Sequence, residues 1–490
     1  MIKRIIFCLF LFSSSFFIYA FAVELKITEE YQQGLIQRVK DLYTNKAPIS
    51  PLPKCGTPVM LELFMVKDKL SPQTLELLKA YLDRPSLQTS YNTPGGHFKI
   101  HYDTSGANAV YHPTEDNNPT NGIPDYVDRC AEIFDYVWAK EIDTMGYREP
   151  PSDGSSGGDS RYDIYIVNLG YGYLGITFAE SSATPWWNVT SYTEIANDFS
   201  LYGYPNQYDL IGVTAAHDFF YAIEFGYDIY EGFDPYPNWR PYWMEMSATW
   251  MEDQAFDNVN DYINYLPFFF DYPWWSLKTF TDDFNDPKAY HCYASCVFPI
   301  YLSEKFGVDI IRQIWEECGE IPFGNTFSAI DTALAPFGAD FDSAFKEFLV
   351  WNLFTNTRVE PSNYYSEGSS YPGINISSQQ RYSTYPVNVA SVDSMPENLA
   401  SNYVRFTPLA GPGGLAMYFD GADAAEWVVP VIGYKSGGGH FIDAFDLGIQ
   451  QKGSFDFYNW DDYSYIYPKK CICICSASQR LINPKVFTES

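Results

Sequence analysis

The sequence predicts an α+β domain followed by a small β-sandwich, and three observations lead there. Two stretches with period-2 alternation, GGHFKIHYD (95–103) and RYDIYIV (161–167), precede a block of segments with helical periodicity between 208 and 356. A run rich in Ser, Tyr, Pro and Asn with little periodicity, 361–395, closes that block. Short alternating segments between Gly-rich turns then return, from NYVRFTPL (402–409) to DDYSYIY (461–467). The chain has 490 residues, of which 46% are hydrophobic, enough to bury a large core and to form more than one domain.

Residues 1–22 have the make-up of a secretory signal: Lys3 and Arg4, a mostly apolar run from Ile5 to Tyr19, then Ala20-Phe21-Ala22 as a cleavage pattern. Helical periodicity over 24–45 and 71–83 marks an N-terminal region, 23–93, interrupted by the Pro-rich link SPLPKCGTP (50–58). Propeptide and brace are both open readings of it. The main domain, 94–358, contains the two strands, a loop at EDNNPTNGIPDYVD (115–128) and a helix running to about Met145. Helices are then expected over 208–227, 240–256, 288–306, 308–318 and 341–356. A linker (359–398), a β-sandwich-like unit (399–467) and a tail (468–490) complete the organisation. The tail PKKCICICSASQRLINPKVFTES is basic where the chain is acidic, and a frameshifted end or a poorly ordered natural one are alternative readings.

The formal net charge is −30, and removal of Lys3 and Arg4 with the signal makes it more negative. An acidic chain lacks the basic surface that a nucleic-acid partner requires, while it favours sites for hard divalent cations such as calcium. No later apolar run reaches membrane-spanning length without charges or prolines. The expectation is an exported protein, secreted or held at the cell surface or in the periplasm, with its oligomeric state open. Cys55, Cys130, Cys292, Cys296, Cys318, Cys471, Cys473 and Cys475 remain after cleavage; the even number permits disulfides without revealing their pairing. Cys292 and Cys296 lie four apart in a helical pattern with no second pair to complete a zinc site, so they read as packing thiols.

The stretch TAAHDFFYAIEFGYD (214–228) places His217, Tyr221 and Glu224 at i, i+4 and i+7 on one helical face. A zinc-peptidase helix reads H-E-x-x-H, because imidazoles one turn apart reach the same ion and the glutamate beside the first deprotonates its water. The downstream helix NWRPYWMEMSATWMEDQAF (238–256) offers Glu245 and, two turns on, Glu252 as further ligands.

Together, TAAHDFFYAIEFGYD and WMEMSATWMED resemble a family of secreted bacterial metallopeptidases of the gluzincin type, whose members typically read AAHEFFHAIQFGYD and WMEGTATWMED. The resemblance extends to RPSLQTSYNTPGGHFKIHYDTSGANAV (84–110), NGIPDYVD (121–128), DSRYDIYIVNLG (159–170), YHCYASCVFPIYLSEKFG (290–307) and DIIRQIWEECG (309–319). These segments cover most of residues 55–355. The resemblance implies a zincin-like metallopeptidase domain, a zinc cofactor and a polypeptide substrate or ligand. Carried over position by position, His217 takes the place of the first zinc ligand and Glu245 that of the third. Asp218 stands at the catalytic glutamate and Tyr221 at the second histidine; Glu224 replaces a glutamine and Met246 a glycine. Tyr293 and His291 fall where some gluzincins place an oxyanion-stabilising Tyr or His, although both also suit packing at a helix start.

Tyrosine binds a metal only as phenolate, and reaching that form at neutral pH costs roughly 4 kcal/mol. Asp218 is one methylene short, which misplaces its carboxylate by about 1 Å, and such an error costs on the order of a hundredfold in rate. The favoured expectation is therefore an exported metallopeptidase-like protein with a degenerate zinc site, weak or inactive in proteolysis, acting as a binding module. A working zinc endopeptidase with an unusual ligand set, using Tyr221 or Glu224, is the first alternative, and Glu224 itself reads better as a solvated or salt-bridged acid. A carbohydrate-binding protein, suggested by an aromatic content of 18% and by the pairs Trp186-Trp187 and Trp274-Trp275, is the second. Asn117, Asn121, Asp125 and Asp128 follow part of a calcium-loop spacing around Gly122, with Pro119 at a ligand position. His97, His101, His112 and His440 read as ordinary strand or loop residues, and the N-x-S/T patterns at Asn188 and Asn375 as chance.

Overall fold

The computed structural model describes residues 27–44, 51–170, 172–232, 241–320, 326–360, 362–376, 381–390 and 396–489, apart from 408, 410–412, 424, 436–438, 459, 461–468 and 477–484. The signal expected at 1–22 lies outside them. The side chains of residues 389–390 and 469–489 are likewise outside the description.

The N-terminal region forms helix α1 (Glu29–Asp41), a two-residue strand β1 (Lys54–Cys55), helix α2 (Thr57–Val66) and helix α3 (Pro72–Leu82). Local chemistry sets these ends. Thr28 caps α1 by accepting from the Tyr31 amide at 3.2 Å, Glu29 and Glu30 open it, and Arg38 and Lys40 close it, as the helix dipole favours. Ser71 caps α3 ahead of Pro72. Helix α2 is absent from the periodic pattern. Its sequence TPVMLELFMV is apolar on nearly every side, so it carries no amphipathic period, and it is largely buried.

The main sheet adds β2 (Thr89–Asn92), β3 (Phe98–Tyr102), β4 (Tyr162–Val167), β5 (Tyr173–Ser182) and β6 (Val189–Ala196), in the order β1-β5-β6-β4-β3-β2. Strands β3, β4 and β6 are parallel, β5 runs antiparallel to β6, and β1 lies parallel along the outer edge of β5. Strands β3 and β4 match the predicted alternating stretches. Strand β6 has no such signal: VTSYTEIA reads as polar, yet all eight residues are buried. The hydroxyls of Ser191 and Thr193 are satisfied inside the sheet, with Tyr162 bonded to both at 3.0 Å and Thr177 to Thr193 at 2.9 Å.

The helices of this domain are α4 (Asp125–Trp138), α5 (Gln207–Phe225), α6 (Tyr242–Ala255), α7 (Pro267–Phe270), α8 (His291–Ala294), α9 (Val297–Phe306), α10 (Asp309–Cys318), α11 (Thr326–Leu334) and α12 (Phe341–Trp351), of which α4 and α5 pack on the sheet. Helix α4 passes at Trp138 into a π-type turn, Ala139–Thr144, so the helical run ends beside Met145, close to where it is expected. The single helix expected over 288–306 is broken into a 3₁₀ turn, α8 and α9, and the Ser295 hydroxyl takes the His291 carbonyl at the break. One apolar cluster runs from Leu35 and Val39 of α1 through the sheet to Phe348 of α12, so the N-terminal region shares the core of the main domain.

Toward the C-terminus come β7 (Arg381–Tyr382), β8 (Asn388–Ala390), β9 (Ala400–Phe406), β10 (Leu415–Asp420), β11 (Glu426–Val428), β12 (Pro430–Tyr434), β13 (His440–Ala444), β14 (Lys452–Phe457), β15 (Lys469–Ser476) and β16 (Lys485–Glu489). They make two small, mostly antiparallel sheets, β13-β12-β15-β9-β7 and β14-β10-β16-β8. Phe406, Met417, Phe419, Trp427 and Val431 from the two sheets share a second apolar cluster. The stretch 468–490, set apart by its composition, thus contributes the backbone of one strand to each sheet. The segment read as a linker contains β7 and β8. Among the described residues no helix is long and apolar enough to cross a membrane.

Candidate metal centre

Helix α5 starts where Asn206 accepts from the Tyr208 amide at 3.2 Å. From Leu210 to Phe225 every residue is buried, because the helix lies between strands β5 and β6 on one side and helix α6 on the other. Its sequence is apolar all round, the mark of a core helix. The polar residues it carries, His217, Asp218 and Glu224, therefore need partners inside the protein.

His217 and Glu245 converge. The imidazole Nε2 lies 3.4 Å from Glu245 Oε2 across the α5–α6 interface, an ion-pair contact without hydrogen-bond alignment. The other ring nitrogen, Nδ1, meets Glu252 Oε1 at 2.8 Å. Glu252, one of the two acids singled out on the second helix, thus orients the ring so that Nε2 faces Glu245, the carboxylate–histidine arrangement common behind metal ligands. Burial opposes a charge on His217, but Glu245 and Glu252 outweigh it and push the imidazole up to about 9. Glu245 is 0% exposed, and neither of its oxygens accepts a hydrogen bond. A carboxylate in that state costs several kcal/mol unless a cation joins it.

The third member comes from a place the sequence left unassigned. Cys55, in the Pro-rich link, is buried with Sγ, His217 and Glu245 donor atoms all within 4.8 Å of one another. Burial, then Glu245 and Asp218, hold its thiol well above the ordinary range. Beside it the Lys54 ammonium is 2% exposed and paired with Glu252 and, at 2.5 Å, with Asp261. Lys54 also sits at φ 69°, a left-handed backbone that a residue with a side chain adopts at a cost of roughly 1–2 kcal/mol. The buried ion pairs hold it there.

Tyr221 lies beside the cluster, its ring 5.5 Å from that of His217, and its hydroxyl is buried without a hydrogen-bond partner. Burial, then Glu245 and Cys55, hold the phenol well above its usual range, which works against the phenolate a metal would need. Asp218 is turned onto the N-terminal segment: Oδ1 lies 3.4 Å from Thr57 Oγ1 and 3.8 Å from Cys55 Sγ. The carboxylate also rests on Gly175 of β5, where a Cβ would overlap it. Burial, tempered by His217 and reinforced by Glu245 and Glu252, raises Asp218 to about 7. Tyr293 lies beside the cluster with its ring 6.3 Å from His217, and its hydroxyl donates to the Pro53 carbonyl at 2.8 Å.

Glu224 is a correction to the sequence reading. It is neither solvated nor ion-paired but fully buried, accepting from Ser247 Oγ at 2.7 Å, and burial pushes its carboxyl well up. His291 is a packing residue: its ring stacks with Phe269, Nδ1 meets the Phe268 carbonyl at 2.9 Å, and burial lowers it to about 4. Cys55, Cys130, Cys292, Cys296 and Cys318 are buried, free thiols. In the loop with the partial calcium spacing, Asp125 accepts from the amides of Asn117 and Asn118, and Asp116 from those of Asn121 and Gly122.

An imidazole nitrogen, a thiol sulfur and a carboxylate oxygen form a donor set that zinc accepts, and tetrahedral zinc spaces such donors about 3.3–3.8 Å apart. The unpartnered atoms of His217 and Glu245 fit the same ion. The fold and site together define an α+β protein with a buried Cys/His/Glu cluster able to coordinate a metal. No protein-family model matches the chain, and no curated protein does.

Proposed function

We propose that this chain is an exported, metallopeptidase-like protein that holds zinc between His217 and Glu245 and acts as a polypeptide-binding module without efficiently cleaving its ligand. The observation that carries this reading is Glu245, a carboxylate with 0% exposure and no hydrogen bond, facing an imidazole that Glu252 has oriented toward it. Zinc would be held by His217 and Glu245, and when bound it would supply Lewis acidity at that place. The chain's own residues do not complete a hydrolytic site around that ion. Asp218 is directed at Thr57, Cys55 and Gly175, and the Tyr221 phenol stays protonated. A proton acceptor for a water at the ion is therefore missing from the position where the gluzincin resemblance places it.

The test combines metal content with activity. Chelator-stripped protein dialysed against zinc is expected to take up one ion per chain, and His217→Ala to take up none, with no casein cleavage in either. Cleavage by the zinc-loaded protein that chelation abolishes and His217→Ala removes would overturn the non-proteolytic reading. Failure of the intact protein to bind zinc would overturn the metal reading.

A further inference from the structure

The segment that brings Cys55 to the cluster is bound as a peptide would be bound. Three tyrosine hydroxyls take its successive carbonyls: Tyr290 donates to Pro51 at 3.0 Å, Tyr265 to Leu52 at 3.2 Å and Tyr293 to Pro53 at 2.8 Å. Next, the segment adds to the free edge of β5. The Lys54 amide donates to the Gly172 carbonyl at 2.9 Å, the Gly56 amide to that of Gly175 at 3.0 Å, and the Thr177 amide to Thr57 Oγ1 at 2.8 Å. Side-chain hydroxyls reading carbonyls, followed by main-chain pairing along a sheet edge, is how extended peptides are recognised. Two prolines in the segment remove donors that the tyrosine hydroxyls could not satisfy. The Lys54 ammonium locks the register through Glu252 and Asp261, and Glu252 is the residue that orients His217.

Resting on the metal reading above, we infer that residues 51–57 occupy the peptide-binding site as an intramolecular ligand, and that the Cys55 thiolate is the third protein ligand of the ion. Two buried atoms without a hydrogen bond, Glu245 Oε2 and His217 Nε2, face each other at 3.4 Å within reach of the thiol. Ligation would need the Cys55 sulfur as thiolate and His217 Nε2 unprotonated, any proton on either passing to solvent. A thiolate is a strong ligand for zinc and its surrogate cobalt. The ion then ties the N-terminal segment to helices α5 and α6, and a polypeptide entering from outside must displace both the β5 pairing and the sulfur. The site is self-occupied.

Cobalt(II) supplies the readout, because a thiolate ligand gives a near-ultraviolet sulfur-to-cobalt charge-transfer band, and visible d–d bands report binding by any ligand set. Wild-type protein is expected to show both, and Cys55→Ser to keep the d–d bands and lose the charge-transfer band. Bound cobalt without that band in wild type, or with it in Cys55→Ser, would overturn the inference and leave the metal reading standing. No cobalt bound at all would overturn both. Should Cys55→Ser fail to fold, peptide-mapped alkylation of native wild type decides: shielding of Cys55 by cobalt supports the ligation, and an unchanged rate refutes it. Slower hydrogen exchange at the amides of Lys54 and Gly56 on cobalt addition is expected for a segment tied by the ion; no change there counts against the tie.

Discussion

Lys54→Met tests most sharply whether the N-terminal segment is fastened by buried charge. The ammonium is 2% exposed and faces Glu252 at 1% and Asp261 at 4%, so three charged side chains share one dry site. Methionine keeps the length and apolar stem of lysine but leaves Asp261 without its cation and Glu252 with His217 alone. Breaking a buried pair in this way costs about 3–5 kcal/mol, whereas replacing all partners by neutral groups of similar shape costs far less. The triple variant Lys54→Met, Glu252→Gln, Asp261→Asn is therefore expected to recover most of the loss, since the amide oxygen that replaces the Glu252 carboxylate still accepts from His217 Nδ1. Guanidinium unfolding of metal-free protein, followed by tryptophan fluorescence, measures both. A single variant within about 1 kcal/mol of wild type, or a triple variant no better than the single, refutes the reasoning.

Three further outcomes follow from the same geometry. Zinc at a hundred times its dissociation constant should raise wild-type stability by about 2.7 kcal/mol and leave Glu245→Gln unmoved; a shared shift in denaturant midpoint contradicts the site. Glu194 is pushed up to about 8 by burial, against a hydrogen bond donated by Tyr43 at 2.9 Å. The folded carboxyl keeps its proton where the unfolded one, near 4.5, has lost it, so this group's contribution to stability falls with rising pH between those values by roughly 1.4 kcal/mol per unit. Glu194→Gln should gain on wild type across that window and hold a constant lead above it; a pH-independent difference is the contrary result. Asp218→Glu with Tyr221→His should raise zinc affinity and create chelator-sensitive casein cleavage, most clearly with Cys55→Ser added; a well-folded variant without gain counts against the gluzincin resemblance.

Much of the scaffold is legible in the sequence because its signals are periodic. Alternation marks β3 and β4, and α5, α6 and α10 lie within a few residues of the predicted helices. What escapes is burial that composition disguises. Strand β6 carries Thr, Ser and Glu into the core, and α2 has no polar face to reveal its period. At the site, His217 and Glu245 are readable from their spacing on two helices, and Glu252 is readable as a candidate without its role. Cys55 and Lys54 are not, because their importance arises from contacts between distant parts of the chain, Cys55 and Asp218 being separated by 163 positions. A thiol between Pro53 and Pro58 in a stiff link is the one local hint. Glu224 misleads for a similar reason: an acid at a helical surface spacing looks solvated until α6 covers it.

The central claim is that one imidazole and one carboxylate, from neighbouring helices, receive a single ion. A crystal of the zinc-loaded protein, measured at the zinc absorption edge, tests this directly. The account predicts one anomalous peak about 2.0–2.2 Å from both His217 Nε2 and a Glu245 oxygen. Zinc bound elsewhere, with His217 and Glu245 still in contact and no peak between them, would contradict it.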